Sequence, residues 1–133
     1  MGTNSGTVGD VVTVPVNVVD DLTGLGVYAY ELTVTWNSNY ATFVNASAGG
    51  TITAPWGAPT VNSGTGTVTV VAAGGAALIG RGPLINLQFS LGPSHGTAAL
   101  TLQNALFNEG TPPVTGTANG SISISALPTI NVF

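Results

Sequence analysis

The chain has 133 residues, 44% hydrophobic and 5% charged, with one Lys or Arg against five Asp or Glu and a net charge of -4. That length gives one domain with a real core, and the aliphatic content with so little charge excludes a disordered chain. A single arginine excludes nucleic-acid phosphates and an anionic membrane surface as partners, and zero cysteines exclude a disulfide framework and a thiolate metal site.

Taken in chain order, Met1-Gly2 and the polar residues after it carry neither a basic n-region nor an apolar h-region, so the chain reads as an excised or mature domain with any export signal elsewhere. No run approaches the length of a membrane span. Val11 to Val19 is a β-branched strand run, and Pro15 inside it predicts an edge or a kink. Asp20-Asp21 follows. As sequence neighbours its carboxylates point apart on an extended chain, so a turn held by Asx hydrogen bonds is expected there rather than calcium.

Val27 to Trp36 is the most informative strand. Leu32, Val34 and Trp36 alternate with Glu31, Thr33 and Thr35, the period of a strand with one buried and one open face. Tyr28 and Tyr30 share the inward parity. Asn37-Ser38-Asn39 supplies a turn, and Tyr40 to Ala46 resumes a strand. Thr51 to Pro59, with Pro55, Trp56 and Gly57, reads as loop and leaves Trp56 exposed.

Gly66 to Ala73 sets Thr67, Thr69 and Val71 against Val68, Val70 and Ala72, a strong strand pattern that places Val71 and Ala73 on its open face. Gly80-Arg81-Gly82-Pro83 is a turn, and Leu84 to Leu91 alternates Ile85, Leu87 and Phe89 with polar residues. His95 sits in a glycine- and proline-flanked turn, a poor mount for a catalytic triad. Thr97 to Phe107 continues as strand with Leu100, Leu102 and Leu106 inward. Val114 to Ser125 reads as a hairpin around Asn119-Gly120, and Thr129 to Phe133 as a last extended piece.

These pieces predict an all-β, two-sheet antiparallel β-sandwich of jelly-roll topology with eight to nine strands. Residues 1–125 form the domain and 126–133 a C-terminal extended tail. No catalytic residues, metal site or cofactor are expected.

The order resembles the cohesin domains of cellulosome scaffoldins and of non-cellulosomal surface proteins. The carrying residues are Val8-Gly9-Asp10 into Val14-Pro15-Val16, Gly26, Glu31 to Asn39, Gly66 to Ala73, Gly82 to Phe89, Leu100 to Glu109 and Gly120 to Ile124. Asn37-Ser38-Asn39 stands where that family has an Asp-Pro-Asn turn, and the family's first strand, before Val8, reads as nearly absent. The tail from Thr129, or that of a neighbouring copy, is expected to take its place by edge pairing.

The resemblance implies a secreted or cell-surface, non-catalytic module that presents one sheet face to a dockerin, a small calcium-loaded helical protein. By similarity that face includes Glu31, Thr33, Asn62, Thr69, Val71, Ala73 and Glu109. Two alternatives stay open. One is a surface-layer or filament subunit that self-assembles by strand donation through Thr129 to Phe133 or Gly2 to Gly6. The other is a carbohydrate-binding module using Trp56 with Tyr28, Tyr30 or Tyr40.

Overall fold

The computed structural model describes residues 1–130 and 132. Among them run nine strands: β1 (Thr3–Thr7), β2 (Val11–Val18), β3 (Ala29–Thr35), β4 (Ala41–Ser47), β5 (Thr60–Gly64), β6 (Thr67–Ala73), β7 (Gly82–Leu91), β8 (Gly96–Phe107) and β9 (Gly120–Ser125). The stretch read as loop holds one 3-10 turn, Ala54–Trp56.

The strands form a six-stranded sheet, β1-β9-β8-β3-β6-β5, over a three-stranded one, β2-β7-β4. This is the jelly-roll sandwich the alternation predicts. Its pairs are antiparallel except β1 with β9, which run parallel from Thr3 opposite Ser121 to Thr7 opposite Ser125. Pro15 does lie on an edge strand, since β2 borders its sheet.

The core is the meeting of two inward faces. Val14, Val16, Ile85, Leu87 and Phe89 come from the smaller sheet, and Leu32, Val34, Val68, Val70, Leu100 and Ile122 from the larger. Trp36 closes one end. Its indole N–H donates to the Ala41 carbonyl at 2.9 Å, and its ring meets Phe89 edge-on with centroids 5.0 Å apart. A buried indole needs such a partner, and here a strand-start carbonyl provides it.

Four expectations need correction. The first strand is present: Thr3–Thr7 fills the place beside β9 that the tail was expected to take. Residues this polar give no burial alternation to read. Of the hairpin expected from Val114 to Ser125, Gly120–Ser125 alone is strand, and the Asn119 side chain accepts from the Leu102 backbone N–H at 3.0 Å instead of forming a tight turn. The tail shows no regular structure over residues 126–130 and at 132. The rest of that expected strand, Asn131 and Phe133, lies outside the described residues.

The fourth correction concerns Leu106. β8 pairs with β3 through Leu102 opposite Val34 and Asn104 opposite Thr33, so Gln103 is left over as a bulge. An extra residue reverses the parity of everything after it. Leu106 then lies opposite Glu31 on the open face, and Phe107 turns inward opposite Tyr30.

Candidate protein-docking face

Register decides which side chains share the outer face of the β8-β3-β6-β5 portion of the sheet. Thr60, Val71, Glu31 and Leu106 form one cross-strand row. Asn62, Thr69, Thr33 and Asn104 form the next, and Gly64, Thr67, Thr35 and Thr101 a third. Ala73 and Ala29 face each other at the end nearest Asn108. Six of the seven residues singled out by resemblance therefore lie on one continuous ladder: Glu31, Thr33, Asn62, Thr69, Val71 and Ala73.

Glu109 stands apart from the rows. It follows β8 in a left-handed turn, with φ 47° at Asn108 and 61° at Glu109, and is exposed at the end of the face. Asn108 fixes that turn. Its side-chain oxygen accepts from the N–H of Tyr28 at 2.9 Å and of Ala29 at 3.1 Å, and its amide donates to the Gly26 carbonyl at 2.7 Å. Asn tolerates the left-handed region and carries both a donor and an acceptor, which suits it to this clamp.

The same clamp explains Tyr28. The β3-β6 ladder ends at Ala29 opposite Ala73, so strand parity does not reach Tyr28, which is 49% exposed while Tyr30 is 2% exposed. Sequence reasoning had put both tyrosines inward.

Chemically the face is nearly neutral. Among the described residues, Glu31 is the one charged side chain in the three rows, flanked by Val71, which is 40% exposed, and by Leu106. Thr33 and Thr69 pair hydroxyl to hydroxyl at 3.0 Å, and either can donate. Leu106, Asn104 and Thr60 were missed from sequence. The first two lie beyond the bulge, and Thr60 belongs to a strand all of whose residues are exposed.

The other expected sites change or stay modest. Trp56 is half-buried rather than exposed: its ring stacks on Tyr30 with centroids 6.4 Å apart, its N–H donates to Ala76 at 2.9 Å, and Gly74 packs beneath it. Held this way, and with Tyr30 buried, it does not form an open aromatic strip. Asp21 accepts from the Thr23 N–H at 2.9 Å, the Asx turn expected there. Hydrogen bonds from the Thr23 side chain and backbone hold its carboxyl below the usual carboxylate range. Among the described residues no three His, Cys, Asp or Glu cluster in a way that could hold a metal ion. His95 is exposed in its turn.

The sixth cohesin of scaffoldin B from Acetivibrio cellulolyticus, solved with a Cel5 dockerin, matches at 22% identity over 92% of this chain and 94% of that one, with a TM-score of 0.77. The cohesin CaCohA2 from Clostridium acetobutylicum matches at 22% identity over 93% and 87%, with a TM-score of 0.77. A non-cellulosomal cohesin from the archaeon Archaeoglobus fulgidus matches at 19% identity over 92% and 86%, with a TM-score of 0.71. Among curated proteins none matches by sequence. The family model for the cohesin domain matches residues 1–124, and the chain belongs to that family.

Proposed function

We propose that this chain is a non-catalytic, secreted or cell-surface docking module that takes a dockerin-type protein on its β8-β3-β6-β5 face. The observation that carries the reading is the ladder itself: three rows of hydroxyl, amide and small apolar groups with one acid near the centre. Solved members of the family include cohesins in complex with dockerins.

Size fits the proposal. Four strands at roughly 4.8 Å spacing and seven residues at roughly 3.3 Å rise give a face about 19 Å by 23 Å. Two helices of roughly 10 Å diameter lie side by side on such a surface. The polar rows supply hydrogen bonds, while Val71 and Leu106 supply apolar relief around Glu31. A partner is then expected to place a basic group against Glu31 and small apolar residues beside it.

A pull-down from the host secretome, with calcium and then with chelator, tests this. The expected result is a calcium-dependent partner carrying duplicated calcium loops. Its affinity should fall by about tenfold or more in Glu31→Lys and Val71→Asp, as for central interface positions. Thr13→Lys, at an exposed site on β2, should bind as the parent does. An empty pull-down from a complete secretome, or face variants that bind normally, would overturn the reading.

A further inference from the structure

The chain contains two Asn-x-Ser triplets, Asn45-Ala46-Ser47 and Asn119-Gly120-Ser121. Such a triplet accepts an N-linked glycan where its asparagine and its hydroxyl can be presented at the surface. The fold treats the two differently.

Asn119 is itself exposed, but its side-chain oxygen accepts from the Leu102 N–H at 3.0 Å. Gly120 and Ser121 open β9, which lies between β1 and β8. Ser121 pairs with Thr3 on one side and Ala99 on the other, and its N–H donates to the Gly2 carbonyl at 3.1 Å. Presenting this triplet would part β9 from two neighbours.

Asn45 lies on β4, which borders the three-stranded sheet and, among the described residues, pairs with β7 alone. The ladder shifts register at this point. Phe43 faces Phe89 and Asn45 faces Gln88, so Val44 is left over as a bulge. Two successive side chains therefore point outward, Val44 at 51% exposure and Asn45 beside it. Asn45 joins Gln88 and Thr13 in a row on the outer face of the smaller sheet. Ser47 is half-buried at the same edge, and its hydroxyl accepts from the nearby Gly49 N–H at 3.2 Å, a local bond that opens without disturbing the sheet.

An edge with a bare backbone invites pairing with another chain, and proteins blunt it with charge, proline or cover. β2, the other border of this sheet, carries Pro15, whereas β4 has its bulge but neither charge nor proline. We infer that Asn45 carries an N-linked glycan, which covers the β4 edge and leaves the docking face on the opposite sheet clear. The donor class is an oligosaccharide joined through diphosphate to a polyisoprenyl lipid. The Asn45 amide nitrogen bonds to the anomeric carbon, the bond from that carbon to the diphosphate oxygen breaks, and the amide gives up one proton as the lipid diphosphate leaves. This rests on the secreted or cell-surface placement proposed above, since export brings a chain to such a donor.

Peptide mapping by mass spectrometry, on chain purified from the extracellular fraction of its host, tests the inference. The peptide holding Asn45 should carry sugar mass, lost in Asn45→Gln and in Ser47→Ala, while Asn119 stays bare. The partner's Kd should differ by less than about twofold between the glycosylated chain and Asn45→Gln, because the two sites are on separate sheets. In sedimentation velocity, Asn45→Gln should self-associate at lower concentration than the glycosylated chain. A secreted chain bare at Asn45, a glycan on Asn119 in its place, or a variant no more prone to associate would overturn the inference. A chain retained inside the cell would instead sink the placement. The same chain sent through a eukaryotic secretory host by a grafted leader then decides the acceptor: Asn45 takes the glycan there, or the inference falls.

Discussion

The hydroxyl of Tyr30 is buried with no hydrogen-bond partner among the described residues. Burial pushes its pKa from the ordinary 10.0 up to about 12. The folded chain holds this proton more tightly than the unfolded one, so the associated stability is intact below pH 10.0 and is lost as pH rises through about 12. Tyr30→Phe keeps the ring that stacks on Trp56 and removes the unpaired oxygen. It is expected to raise stability by about 1 kcal/mol and to flatten the alkaline loss, both read from urea melts across that pH range. Gly74 is the opposite case. A Cβ there would fall inside the Trp56 ring, which cannot yield without giving up its bond to Ala76. Gly74→Ala should cost about 2 kcal/mol and shift tryptophan emission to the red.

At the level of strands, legibility in the sequence followed burial. β3, β6 and β7 each bury alternate residues for most of their length, and the apolar period announced them and the open-face positions between. β1 and β5 are five-residue edge strands with no buried residue and, Val61 apart, no large apolar side chain, so their pairing leaves no hydrophobic alternation. The resemblance pointed to Asn62 where periodicity alone gave no strand. The bulge at Gln103 was equally invisible, since composition does not mark where a ladder skips, and Leu106 was consequently assigned to the wrong side. Deleting Gln103 tests that account. With the unpaired residue gone the ladder alternates directly from Leu102 to Asn104, so Leu106 should stay on the open face and Phe107 inward, and urea melts should move by no more than about 1 kcal/mol. Partner binding should be retained, because Asn104 and Leu106 keep their places opposite Thr33 and Glu31.

Across the whole molecule, a net charge of -4 spread over 133 residues leaves little long-range field. Docking through the ladder should accordingly respond weakly to salt. Raising ionic strength from about 0.1 M to 1 M shortens the screening length from roughly 10 Å to 3 Å, yet the partner's Kd is expected to change by less than about threefold. A steep salt dependence in titration calorimetry would mean that charges outside these rows do the attracting. The hydroxyl pair of Thr33 and Thr69 carries the matter one step further. Each of these groups reverses its dipole by swinging a single hydrogen, with no heavy atom displaced. Such a surface imposes no fixed map of donors and acceptors on whatever settles against it. Choice among rival ligands then passes to contour, to the ridge made by Val71 and Leu106, and reshaping that ridge is how the module would acquire a new companion.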